Sequence, residues 1–165
     1  MAIAGNFLGT RPRTRREVEL RLRRAGSSDE VAAAALVRLE ELGLIDDLAF
    51  ANWWIVQRDR HAPRGRRMIE AELRQHGIPR EVIVAVRDRE PDAAPADEEV
   101  LPRDEAERAA TALLRHLRGA PFPEDRRAQQ RAGAFLLRRG FDSETVRTAL
   151  RSVRGQLDDP DGDGH

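Results

Sequence analysis

The sequence predicts an all-α protein of tandem three-helix repeats stacked into an elongated, curved body, its first repeat N-terminally truncated. Three observations predict it. Apolar residues recur at helical spacing along most of the 165 residues, and strict alternation over more than four residues is hard to find. One pattern, Leu four before a Gly and Glu four after it, occurs three times: Leu22-Gly26-Glu30, Leu73-Gly77-Glu81 and Leu136-Gly140-Glu144. The Gly suits a left-handed junction between two helices, and the Glu falls in the first turn of the next helix, where the dipole favours it.

The elements follow in order. Thr14-Arg15-Arg16-Glu17 is a capping box opening a helix that ends near Gly26. Ser27-Ser28-Asp29-Glu30 offers a second box, followed by Val31, Ala35, Leu39 and Leu42 on one face, with Gly43 as the stop. Asp46 caps the next helix, whose buried stripe uses Leu48, Phe50, Ala51, Trp54 and Ile55. Trp53 beside Trp54 cannot face the same core, so it is partly exposed or packs against the neighbouring repeat.

His61 to Gly65 breaks the pattern, and a helix with Ile69 and Leu73 four apart runs to Gly77. Pro79 suits the first position of the next helix, where its missing N–H has no intrahelical partner; Val82, Ile83 and Val86 form that helix's stripe. Beyond it, Ala106, Ala110, Leu113, Leu114 and Leu117 define one helix and Ala128, Ala132, Phe135 and Leu136 another. The last is capped by Asp142, stapled by Phe141 against Val146, and runs through Val153.

Gly26 to Gly77 is 51 residues and Gly77 to Gly140 is 63. The 12 extra residues are accounted for by an acidic stretch and the Pro121-Phe122-Pro123 loop, so the unit recurs near 50 residues. The organisation expected is repeat 1 over 1–45 with its first helix incomplete, repeat 2 over 46–90, an acidic Pro-rich linker over 91–102, repeat 3 over 103–154, and a disordered acidic tail over 155–165. Repeats bury their faces mainly against neighbours and leave a long side surface, which suits long partners better than small substrates.

All 29 basic residues are arginine, a composition that a genome rich in G and C accounts for. They cancel 29 acids, but in blocks. Residues 1–89 carry 17 Arg against 13 acids (+4), 90–107 one against eight (−7), 108–154 eleven against four (+7), and 155–165 none against four (−4). Zero cysteine excludes a disulfide scaffold, a thiol nucleophile and thiolate metal sites. No signal-peptide core or membrane-length apolar run is present, so a cytoplasmic protein is expected.

An enzyme reading would start from Asp46, Asp47 and His61. Adjacent carboxylates on one helix diverge by about 100° and cannot easily converge on one proton or metal, so a cap and a first-turn charge explain them. No Gly-rich phosphate loop, nucleophile elbow or HExxH stretch appears; neither catalytic residues, metal nor cofactor are expected. His76 and His116 read as solvated or dipole-facing groups near helix ends. The arginine clusters are the other candidate. Arg58, Arg64, Arg66, Arg67, Arg74, Arg127, Arg131 and Arg138 would meet an acidic partner or nucleic acid, or form ordinary solvated helix faces. Seven aromatics, none of them tyrosine, leave few stacking platforms for single strands.

The chain resembles the RecX family of bacterial regulatory proteins over roughly residues 6–154. The likeness rests on Arg11-Pro-Arg-Thr-Arg-Arg-Glu17, on Leu39-Glu-Glu-Leu-Gly-Leu-Ile-Asp-Asp-Leu-Ala-Phe-Ala51, on Pro63-Arg-Gly-Arg-Arg-Met-Ile-Glu-Ala-Glu-Leu-Arg-Gln-His-Gly-Ile78, and on Phe135-Leu-Leu-Arg-Arg-Gly-Phe141. The resemblance implies three tandem three-helix repeats. It also implies binding to the RecA recombinase along its filament on single-stranded DNA, limiting filament growth, ATP hydrolysis and strand exchange, without enzymatic activity. Its signature positions, Gly26, Gly43, Leu44, Ile45, Asp46, Asp47, Phe50, Ala51, Gly65, Leu73, Gly77, Gly140 and Phe141, look structural. The short start and the acidic insert depart from the family pattern. A direct nucleic-acid-binding helical repeat protein is the alternative.

Overall fold

Caps supplied by the sequence open most of the helices in the computed structural model, which describes residues 12–87 and 104–158. Among the described residues there are eight helices and no strand: α1 (Arg15–Arg24), α2 (Asp29–Glu41), α3 (Asp47–His61), α4 (Arg66–Gln75), α5 (Arg80–Arg87), α6 (Glu105–Leu117), α7 (Arg126–Arg138) and α8 (Ser143–Asp158). Thr14, Ser28, Asp46, Asp104, Asp125 and Asp142 each accept a backbone N–H of the first turn they precede. Each such cap contributes on the order of 1 kcal/mol. Pro79 stands one residue earlier than the sequence suggested: its carbonyl accepts the Ile83 N–H at 3.1 Å, which makes it the cap of α5.

The three glycine junctions share one hydrogen-bond pattern. In each, the N–H of the residue after Gly reaches the carbonyl of the leucine four before it: Ser27 to Leu22 at 3.2 Å, Ile78 to Leu73 at 3.0 Å and Phe141 to Leu136 at 3.3 Å. The glycines sit at φ of +86°, +80° and +89°, the left-handed conformation this closure demands. A fourth copy closes α2, where Leu44 donates to Leu39 across Gly43. The junction leucines are all buried, so the residue that anchors each turn also anchors its helix in a core. Fully burying one such side chain contributes about 1.5–3 kcal/mol.

The repeats also interlock by a recurring pair of hydrogen bonds. Thr14, the residue before α1, donates its hydroxyl to the carbonyl of His76, the residue before Gly77, at 2.9 Å. Gly65, the residue before α4, donates its N–H to the carbonyl of Arg139, the residue before Gly140, at 2.9 Å. The first N–H of α1, on Arg15, meets the carboxylate of Asp47, which opens α3, and the first N–H of α4, on Arg66, meets that of Glu105, which opens α6; both distances are 2.9 Å. Helix-start N–H groups have no partner within their own helix, and here the next repeat supplies it.

The chain divides into two units, Met1–Ile55 with Glu70–Glu90 and Val56–Ile69 with Pro91–His165. In the first, α1 packs on α2 through a core of Val18, Leu22, Ala32, Leu36, Leu39 and Ile45. In the second, α6 and α7 pack on α8 through Ala109, Leu113, Ala132, Leu136, Phe141, Val146, Ala149 and Val153.

Three details differ from expectation. The buried stripe of α2 is Ala32, Leu36 and Leu39, while Val31 and Leu42 are 59% and 49% exposed. Residues 31–37 are apolar all round, so periodicity could not choose a face. Leu48 is likewise exposed. Finally, α8 continues through Gly155 to Asp158, beyond the expected end at Arg154, with an Arg154–Asp158 pair at 3.4 Å supporting its last turn. The expected truncated start of repeat 1 and the acidic linker fall outside the described residues, as does the tail beyond Asp158.

Candidate functional site

The carboxylates considered for catalysis have structural partners. Asp46 accepts the Ala49 N–H at 2.9 Å and Asp47 accepts that of Arg15. Burial raises the pKa of Asp47, opposed by the Arg15 N–H bond. His61 ends the helix that Asp47 begins, so the two are about 21 Å apart along its axis. Among the described residues, no group of His, Asp and Glu is placed to hold a metal ion.

The histidines expected to be solvated or dipole-facing also make packing contacts. The His76 ring lies 4.4 Å from Trp54 and 5.2 Å from Phe50, with Nδ1 3.2 Å from a Glu17 oxygen. His116 is exposed but stacks flat on Phe135, centroids 3.9 Å apart and planes 14° from parallel. Trp53 and Trp54 are both half-buried, and the Trp54 Nε1–H donates to buried Glu72 at 2.8 Å.

The signature positions divide by role. Ile45, Phe50, Ala51, Leu73 and Phe141 are core residues; Leu44, at 50% exposure, is not. Gly26, Gly43, Gly77 and Gly140 close helices, and Asp46 and Asp47 cap and connect. Gly65 has a different reason. A β-carbon there would strike the backbone of Gly140 and Phe141, so the N-terminus of α4 can lie against the α7–α8 junction only because residue 65 has no side chain.

That close approach gathers charge in the second unit. Arg64 and Arg66 flank Gly65, Arg67 follows, and Arg138 and Arg139 precede Gly140. Arg139 donates from Nη1 to the Pro63 carbonyl at 3.2 Å and lies over the Phe135 ring at 4.7 Å. Burial lowers its pKa, and the neighbouring Arg64 charge adds to the effect. On α7, Arg127, Arg131 and Arg138 fall within about 40° of one another around the helix and span roughly 16 Å of its length. All three are exposed, and none forms an ion pair with a described residue. A stripe of undamped guanidinium groups attracts carboxylates or phosphates and releases counterions when it binds them.

The other candidate arginines are placed differently. Arg66 is exposed but pairs with Glu105 at 3.0 Å. Arg74 belongs to the first unit and pairs with Glu70 at 2.9 Å. Arg58 is half-buried.

Sequence reasoning passed over one buried ion pair, Asp59 with Arg108. Asp59 is 4% exposed and is held by Nε at 2.5 Å and Nη2 at 2.9 Å. Arg115, two turns along the same face of α6 from Arg108, donates to the carbonyls of Asp59 and Arg60 and so satisfies the end of α3. The available signal was spacing: Ala51, Ile55 and Asp59 lie four apart, which puts a carboxylate on the apolar stripe.

Comparison with known proteins agrees with this repeat architecture. Three family models match in tandem: RecX, first three-helix domain, over residues 1–39; second, over 46–86; and third, over 104–150. The regulatory protein RecX of Prosthecochloris aestuarii is 33% identical over 144 residues, 87% of this chain and 86% of that protein. That of Mycolicibacterium smegmatis is 39% identical over 137 residues, 82% and 69% of the two chains. A crystal structure of RecX from Lactobacillus salivarius superposes with a TM-score of 0.72 over 91% of both chains at 20% identity, a likeness of fold.

Proposed function

This chain belongs to the RecX family of regulatory proteins, and from that premise we propose that it binds the RecA recombinase. In this reading it lies along the RecA filament on single-stranded DNA and restrains filament extension, ATP hydrolysis and strand exchange, thereby regulating DNA repair and recombination in the cytoplasm. It acts by occupancy, without chemistry of its own. The repeats serving this role are residues 1–45, 46–90 and 103–154.

The observation that carries the reading is the match of three successive RecX domains along one chain. The exposed Arg127, Arg131 and Arg138 stripe supports it, because it supplies positive charge to a partner where no described carboxylate cancels it. Arg64 and Arg67 extend the same unit's basic surface, and Arg58, Arg66 and Arg74 contribute less, Arg58 through burial and the other two through pairing.

The test is a titration of RecA ATP hydrolysis on single-stranded DNA. Inhibition at substoichiometric amounts of this protein is expected; unchanged hydrolysis across a wide ratio refutes the proposal. DNA affinity measured without RecA, with a steep salt dependence, would instead favour direct nucleic-acid binding.

A further inference from the structure

We infer that a cavity beside the end of α3, within the second unit, binds a phosphate group of a nucleotide, with His116 as the platform for its base. The cavity encloses about 170 Å³ and its charged and aromatic lining is His61, Arg115, His116, Arg118, Phe135 and Arg139. No carboxylate lines it.

Three arginines on the lining with no carboxylate among them is the observation that points to an anion. Arg115 spends Nη1 on the Asp59 and Arg60 carbonyls, and Arg139 spends Nη1 on that of Pro63. Those carbonyls position the groups without cancelling their charge. A guanidinium has five N–H donors, so most remain for a ligand. Arg115, Arg118 and Arg139 form no ion pair with any described residue. Burial and the Arg64 charge already disfavour the cation at Arg139, a cost that a bound anion would relieve.

Phosphate suits the site better than a carboxylate because it presents three oxygens to three guanidinium groups. The volume is many times the roughly 10–15 Å³ that a single water needs on the same measure, room enough for a phosphate. His116, exposed on the lining, is placed to receive the base: Phe135 stacks on its ring with centroids 3.9 Å apart. Stacking on such a ring is tolerant of base identity. The inference rests on the second unit's own geometry and is independent of RecA binding.

The test measures binding of inorganic phosphate, AMP and a fluorescein-labelled oligothymidylate to the full chain and to two variants. Arg118→Asn removes a guanidinium at a left-handed position, φ +51°, that asparagine tolerates; it is expected to weaken all probes about tenfold. His116→Ala is expected to weaken AMP and the oligonucleotide about fivefold or more and leave inorganic phosphate unchanged. AMP binding without oligonucleotide binding assigns the site to free nucleotides; AMP displacing the oligonucleotide assigns it to a strand. No saturable binding of any probe up to about 10 mM, or binding unaltered in Arg118→Asn, overturns the site. Unaltered AMP binding in His116→Ala overturns the nucleotide assignment.

Discussion

Replacing Asp59 by alanine tests whether the third repeat's attachment to α3 depends on a buried charge pair. The carboxylate is 4% exposed and both of its oxygens are held by Arg108, whose own side chain is 16% exposed. Removing the acid leaves a largely covered guanidinium without its bidentate partner. Breaking a buried pair from one side costs about 3–5 kcal/mol. Because Arg108 retains a little access to water, a loss near 3 kcal/mol is expected, or roughly 6–12 °C in Tm for a chain of this size. The Arg115 bonds reach backbone carbonyls and survive the substitution. Urea denaturation followed by circular dichroism measures the loss. Replacing both partners, Asp59→Leu with Arg108→Met, removes both charges and is expected to recover most of it. A loss below about 1 kcal/mol in Asp59→Ala, the range of an exposed ion pair, or a double variant no more stable than the single, would refute the reasoning.

Two glycine substitutions should act with opposite sign. Gly65→Ala forces a methyl into the Gly140–Phe141 backbone and is expected to cost about 1–3 kcal/mol, whereas Gly155→Ala, in open space within α8, should stabilise by about 0.5–1 kcal/mol; equal effects would show that crowding at Gly65 is unimportant. Asp142 has its pKa lowered, first by the Thr145 N–H bond of the cap. Its stabilising contribution is therefore present above the ordinary carboxylate value of about 4 and lost as pH falls through the lower folded value. Asp142→Asn, which caps without titrating, should flatten that acid limb in denaturation at pH 5 and pH 3. Converting Arg127, Arg131 and Arg138 together to glutamine should weaken RecA binding and its salt dependence while leaving helical content unchanged; a lost helical signal would make the stripe structural.

The junction pattern was legible because it is local. A leucine, a glycine and a glutamate within nine residues specify a helix end, a left-handed turn and a helix start, and each of the three copies folded as its spacing implies. The caps Thr14, Ser28, Asp46 and Asp142 were legible for the same reason. The buried face of α2 was not, since Val31 to Val37 offers apolar groups in every direction and only packing against Val18 and Leu22 selects Ala32 and Leu36. Asp47 read as a first-turn charge; its partner, the Arg15 N–H, lies 32 residues away.

The glycine junctions, most helix starts, the repeat and its family follow from the order of residues alone, because caps, left-handed glycines and apolar periodicity act over a few bonds. The sequence contains the arginines but not their surroundings. That Arg66 meets Glu105 while Arg127, Arg131 and Arg138 stand clear, that His116 lies flat on Phe135, and that Asp59 is sealed beneath Arg108 are matters of tertiary structure. A charge is damped, buried or left free by groups dozens of residues away, and only the packing of one repeat on the next brings those groups within reach.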